Sequence, residues 1–266
     1  MNKLLGKVAV VTGGARGIGR EYALRMAKLG ADIGVIDINL KSYKDFKGEE
    51  LDNGFETVID ELKSLGVKTL GVEADIADEN EVLNAFNEIE QNLGQVNILI
   101  ANAGGGSGSV HENAGSEIDI NELDIVMARN LYGTIYSVKS VIENMKRNKF
   151  GKIVTVTSVA GLKSINEGRY SHYGAAKAAI VNYTKNLAQD VGKFNITVNA
   201  IAPGYIGTGR LLEQFKKTGV EVYEQETALK RLGTPEDCAN VAEFLVTNLS
   251  DYVTGTVIDV TGGLLK

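Results

Sequence analysis

Short apolar runs, each rich in β-branched residues, recur along the chain with an amphipathic stretch between most neighbouring pairs. This alternation narrows the folds available to it. The runs at 7–12, 31–36, 67–73, 97–101, 152–157, 196–201 and 256–260 lack a clean polar alternation, as expected of strands covered on both faces. Between them the spacing predicts helices over 18–29, 55–65, 79–93, 121–146, 173–191 and 235–247. Gly30, Gly66, Gly94 and Gly192 follow four of these, where a left-handed cap would fall. Thr234-Pro235-Glu236-Asp237 has the order of an N-cap and first helical turn. The alternation predicts an α/β chain with a doubly wound parallel sheet and right-handed crossovers. No linker or repeat divides residues 1–266, which read as a single domain. Two stretches break the rhythm. Residues 39–54 are polar and aperiodic, an expected surface insertion, and 204–234 form an expected lid with Gly207, Gly209 and Gly219 as hinges.

Composition removes several kinds of chemistry. Lysine and arginine number 28 against 34 acidic residues, and a net charge of −6 offers no basic field to nucleic acid or an anionic membrane. No apolar run approaches the ~20 residues that span a bilayer, and residues 1–7 are charged too early for a secretory leader, so a cytoplasmic location is expected. A lone cysteine, Cys238, excludes an internal disulfide and a multi-cysteine metal site, and two histidines, His111 and His172, leave no metal expected. Both histidines read as surface or pocket-rim residues, and Cys238 as a packed helix residue. Hydroxyls, amines, carboxylates or an organic cofactor must supply the chemistry.

After the first predicted strand comes Thr12-Gly13-Gly14-Ala15-Arg16-Gly17-Ile18-Gly19. Glycines there permit a tight turn, backbone approach to a pyrophosphate, and close helix–strand packing, while the helix N-terminus attracts the anion. The second strand leads to Asp37, 24 positions after Gly13, near the distance at which a carboxylate meets the adenine ribose 2′-hydroxyl. Tyr173 and Lys177 share one face of a predicted helix, Ser158 ends the fifth strand at the carboxyl edge of the sheet, and Asn130 interrupts an apolar helix face. An ammonium beside a phenol stabilises the phenolate, lowering a pKa that is ordinarily about 10 toward the range of general-base work.

The Gly-x3-Gly-x-Gly turn, Asn102-Ala103-Gly104 after the fourth strand, and Tyr173-x3-Lys177 together resemble the short-chain dehydrogenase/reductase family over essentially the whole chain. The resemblance implies a seven-stranded Rossmann sheet in the order 3-2-1-4-5-6-7 and a homo-tetramer built on the helices at 121–146 and 173–191. It implies coenzyme contacts from Gly13, Arg16, Gly17, Ile18, Gly19, Asp37, Ile38, Asp75, Ile76, Asn102, Ala103 and Gly104. Tyr173, Lys177, Pro203, Gly204, Ile206 and Thr208 would hold the nicotinamide end. It implies a catalytic set of Asn130, Ser158, Tyr173 and Lys177, although Ser158 stands 15 positions before Tyr173, slightly more than the family's usual spacing.

Asp37 favours NAD by repelling a 2′-phosphate, whereas Arg16 could contact that phosphate as in some NADP-preferring relatives. The expected reaction is NAD(H)-dependent interconversion of a mostly apolar secondary alcohol, cyclic, terpenoid or steroid-like, and its carbonyl. Val110, Leu162, Tyr205, Leu211, Leu212 and Phe215 would wall the pocket, and Tyr170 would hydrogen-bond a distal polar group. An NADPH-dependent 3-oxoacyl-thioester reductase shares these motifs. A dinucleotide-sensing protein without turnover would need none of Ser158, Tyr173 and Lys177.

Overall fold

A computed structural model of the protein describes residues 3–46, 49, 51, 54–164 and 166–264. Strands β1 (Val8–Thr12), β2 (Asp32–Asp37), β3 (Thr69–Glu73), β4 (Ile98–Ala101), β5 (Gly151–Val156), β6 (Ile196–Pro203) and β7 (Val257–Val260) form one parallel sheet of seven strands. Their order is β3-β2-β1-β4-β5-β6-β7, with Ala9 paired to both Ile33 and Ile98. The helices are α1 (Gly17–Lys28), α2 (Val58–Ser64), α3 (Glu79–Leu93), α4 (Ile120–Met127), α5 (Gly133–Asn148), α6 (Ser171–Val191), α7 (Gly209–Thr218), α8 (Val220–Glu226) and α9 (Pro235–Val246).

The period-2 alternation of β1 divides its side chains between two cores. Ala9 and Val11 join Tyr22 and Ala23 of α1, Leu62 of α2 and Ala242 of α9. Val8 and Val10 join Phe86 of α3, Val141 of α5 and Ala188 of α6. The expectation that every strand is covered on both faces fails at β3 and β7, whose side chains are mostly half-buried. Each has only one neighbouring strand, so the sheet ends there.

Caps form at most of the ends where the sequence marks them. Thr57 and Thr234 each form a reciprocal capping box, with Asp60 and Asp237. Gly30, Gly66 and Gly94 take positive φ, but Gly192 does not; α6 instead runs into a short 3-10 turn, and Asn195 supplies the left-handed residue at φ 57°. The single helix expected over 121–146 is two helices, α4 and α5, joined by a π-turn at Ala128–Tyr132. Asn130, within that turn, is wholly buried. Among the described residues no helix is long and apolar enough to cross a membrane.

Candidate active site

The carboxyl ends of β1 and β4 are tied together by polar contacts. Thr12 Oγ1 accepts from the amides of Asn102 (3.1 Å) and Ala103 (3.0 Å), while Asn102 Nδ2 donates to the carbonyls of Thr12 (3.1 Å) and Gly13 (3.0 Å). Gly13 and Gly17 turn at φ +64° and +55°, in the region that favours glycine. A Cβ on Gly19 would lie 1.9 Å from the Gly13 carbonyl oxygen, so the first turn of α1 seats directly on the loop. This is a cradle of backbone at a helix N-terminus, the form a pyrophosphate requires.

Asp37 ends β2, with Oδ2 accepting from Ala15 N (3.0 Å) and Oδ1 from Asn39 N (3.2 Å). Burial pushes its carboxyl pKa up, and those amide bonds oppose the rise. Asp75 caps its own turn by accepting from Ala77 N (2.9 Å), and Ile76 packs against Gly133 of α5. Gly204 N donates to Val260 O (2.9 Å), Ile206 bridges to Gly233, and Thr208 stands at the N-cap of α7.

At the other end, Ser158 lies just beyond β5 and its Oγ accepts from Ala160 N (3.2 Å). Tyr173 and Lys177 occupy successive turns of α6, with Lys177 Nζ 5.7 Å from the centre of the Tyr173 ring. Nζ donates to Val156 O at 2.8 Å, and Thr157 Oγ1 donates to Lys177 O at 2.7 Å, so β5 fixes both ends of the lysine. Only 3% of Lys177 is exposed, and burial lowers its pKa to about 7.

Asn130 is wholly buried: Nδ2 donates to Gly105 O (2.8 Å) and Val126 O (2.7 Å), and Oδ1 accepts from Gly105 N (3.1 Å). A Cβ on Gly104, at φ +151°, would sit 2.4 Å from Asn130 Oδ1 and 3.5 Å from Lys177 Nζ. The loop, the π-turn and the lysine therefore meet at one point.

A cavity of about 1400 Å³ runs between the two ends. It is lined by Gly13, Arg16, Gly17, Ile18, Gly19, Asp37, Ile38, Asp75, Ile76, Asn102, Ala103 and Gly104, and by Ser158, Tyr173, Lys177, Pro203, Gly204, Ile206 and Thr208. Asn130 stands behind this wall. Val110, Tyr170, Tyr205, Leu211 and Phe215 line the cavity, whereas Leu162 and Leu212 are not part of its wall.

Three features go beyond the sequence reading: the conformation of Tyr170, whose place at the pocket was expected, the burial of His172, and the position of Tyr223. Tyr170, at φ 59°, lays its ring against Tyr173 with centres 5.2 Å apart, and a Cβ on Gly106 would overlap its hydroxyl. His172 is neither a surface residue nor, unlike His111, part of the cavity wall: it is wholly buried, edge-on to Tyr170 at 4.9 Å, with Nε2 3.1 Å from Ser107 O. That carbonyl can only accept, so Nε2 carries the proton. Tyr223, in the stretch read as an open lid, packs against Phe215 (4.2 Å) and Tyr205 (5.0 Å) to make an aromatic wall. The Tyr205 hydroxyl donates to Glu226 Oε2 at 2.8 Å. No signal marked Tyr223, because α8 is too short for its period to show.

Residues 13–265 match the family described as enoyl-(acyl carrier protein) reductase. The chain is 50% identical over 261 residues to cyclohexanol dehydrogenase of Rhodococcus sp. (strain TK6), covering 98% of this chain and 97% of that one. It is 34% identical over 265 residues to 3-oxoacyl-acyl-carrier-protein reductase FabG of Aquifex aeolicus (strain VF5), covering 98% of each. A 7 alpha-hydroxysteroid dehydrogenase complexed with NADH and 7-oxo glycochenodeoxycholic acid has a similar structure, with a TM-score of 0.86 and 32% identity. The match covers 98% of this chain and 95% of that one.

Proposed function

The chain belongs to the short-chain dehydrogenase/reductase family, and from that premise we propose that it is an NAD(H)-dependent dehydrogenase of apolar, cyclic secondary alcohols. The observation that carries the reading is the convergence, on one cavity, of Ser158, Tyr173 and a buried Lys177 with Asp37 at the opposite end. A nicotinamide dinucleotide fits the backbone cradle of Gly13, Gly17 and Gly19, where side chains would intrude, and supplies the hydride acceptor when bound. Asp37 would hold the adenine ribose, and Thr208 and the 203–206 segment the nicotinamide end.

Each side chain has a definite task. Tyr173 takes the alcohol proton, and Ser158 hydrogen-bonds the substrate oxygen so that the carbon faces the coenzyme. The Lys177 ammonium, held on Val156 O, favours the Tyr173 phenolate. Asn130 fixes the backbone of Gly105, beside the Gly104 that faces both it and Lys177. Residues 204–234 act as the lid, and its Tyr205, Phe215 and Tyr223 offer an apolar wall to a hydrocarbon ring. Burying such a body contributes about 25 cal/mol per Å² before association costs. The 50% identical relative named cyclohexanol dehydrogenase supports this substrate class. The same family membership carries the proposal of a homo-tetramer through the helices at 121–146 and 173–191, for which gel filtration is the check.

The test is kcat/KM with NAD⁺ across cyclic secondary alcohols and polyols, and with NADH and NADPH on an acetoacetyl thioester. Cyclohexanol and its larger homologues should lead. Preference for the thioester with NADPH would favour the 3-oxoacyl reductase reading that the relatives at 34% identity support.

A further inference from the structure

We propose that Glu49 withholds Arg16 from the coenzyme, making Glu49 a positioning residue for selectivity between NAD(H) and NADP(H) alongside Asp37. The inference rests on the NAD(H) reading above. The insertion at 39–54, expected at the surface, is in part buried: Ser42–Asp45 form a 3-10 turn in which Ser42 and Tyr43 are buried, and the Tyr43 hydroxyl donates to Glu56 O at 2.8 Å. Further along, Phe46 and Glu49 turn inward. Glu49 is only 8% exposed; its Oε1 accepts from Gly209 N at 2.7 Å, and its Oε2 lies 3.6 Å from Arg16 Nη1. The Arg16 guanidinium lies over the Phe46 ring, 4.3 Å from its centre. A Cβ on Gly209 would come within 2.7 Å of Glu49 Cγ and 2.8 Å of Phe46 Cβ, so glycine there allows α7 to close onto the insertion.

Arg16 and Phe46 line the cavity next to Asp37, Ile38 and Asn39, while Glu49 stands behind them. Arg16 is therefore placed where it could meet a 2′-phosphate, but its charge already faces Glu49 Oε2, a buried carboxylate oxygen with no hydrogen-bond partner among the described residues. Moving it to a phosphate would leave a buried carboxylate without its counter-charge, which is costly. Asp37 repels the phosphate directly; Glu49 removes the cation that would attract it.

The experiment is a double-mutant cycle of Glu49→Gln and Arg16→Gln, reading the ratio of kcat/KM for NADP⁺ to that for NAD⁺ with cyclohexanol as substrate. Glutamine can still accept from Gly209 N but carries no charge. Glu49→Gln should raise the ratio about tenfold, the lower range for one hydrogen bond to a charged group. The rise should disappear in the double variant. A ratio within twofold of wild type, or an equal rise without Arg16, overturns the proposal. Arg16→Gln alone provides a check that does not need the Glu49 variant to fold. It should shift the ratio less than twofold, whatever it does to either rate, because the arginine is not available in the wild type. A fall of more than about fivefold would show Arg16 already serving a phosphate and would overturn the proposal. The cycle decides the role of Glu49 whichever coenzyme the wild type prefers. A wild type that prefers NADP⁺ overturns the coenzyme reading instead.

Discussion

Burial strips water from the Lys177 amine and lowers its pKa from 10.5 to about 7. Between those values the unfolded chain binds a proton that the folded chain does not, so this residue's contribution to stability rises with pH. Its cost is greatest below pH 7, where the folded protein must hold an ammonium away from water. Lys177→Met should therefore gain stability relative to wild type at pH 6, on the order of a few kcal/mol, less the loss at Val156 O. That advantage should shrink toward pH 9. Melting curves across this range check it, and a difference that does not change with pH would remove burial of charge as the cause. Tyr173→Phe should lower kcat by about 10²–10⁴-fold while NAD⁺ binding, followed by calorimetry, stays close to wild type. Asp37→Ala should weaken discrimination against NADP⁺ by about 1–3 kcal/mol in relative kcat/KM. The motif residues were legible because their chemistry depends on spacing along one strand end or one helix face. Tyr170 was legible as a pocket residue but not in its left-handed backbone, and the burial of His172 against Ser107, 65 residues away, was not legible at all; neither leaves a periodic trace.

Elements were legible wherever one local rule governed them. α9 starts where Thr234, Pro235 and Asp237 require, and α3 spans Glu79–Leu93 as its period predicts. Thr234→Ala removes the acceptor for Asp237 N and should cost about 1 kcal/mol, a fall in Tm of roughly 2–4 °C by calorimetry. The π-turn between α4 and α5 was hidden, because the apolar period on either side of it can be read as one helix. The contact that accompanies it is tertiary: the Asn130 amide bonds the loop at Gly105. The proposed lid shows the same limit. Its glycines read as hinges, yet Gly207 N donates to Gly233 O (2.8 Å) and Gly233 N to Tyr205 O (2.9 Å), which pinches its base shut. Lid movement should be concentrated in α7 and α8, and amide exchange should be faster there than at residues 205–207 and 233.

At the scale of the molecule, the cavity and its aromatic wall lead to a prediction about ligands. Saturating NAD⁺ should raise Tm, because only the folded chain presents the cradle; at about 100 times Kd the gain is ~2.7 kcal/mol. A thermal-shift titration showing no increase would count against the site as drawn. Strand order was the most legible property at this scale, because a family resemblance carries topology that composition alone does not. Burial was less so, since the half-exposed edges at β3 and β7 follow from position in the sheet rather than from residue type. The interior position of β1 has a kinetic consequence. Its pairing with β4 joins Val8 to Asn97 across 89 residues, so at ~5–20 residues per second the ribosome needs about 5–20 s to deliver the second partner. Through that interval Val8–Thr12, apolar but for Thr12, keeps an open edge on which the nascent chain should be prone to aggregate. Refolding from denaturant must also form these distant parallel pairs, so it should be slow and its yield should fall as protein concentration rises.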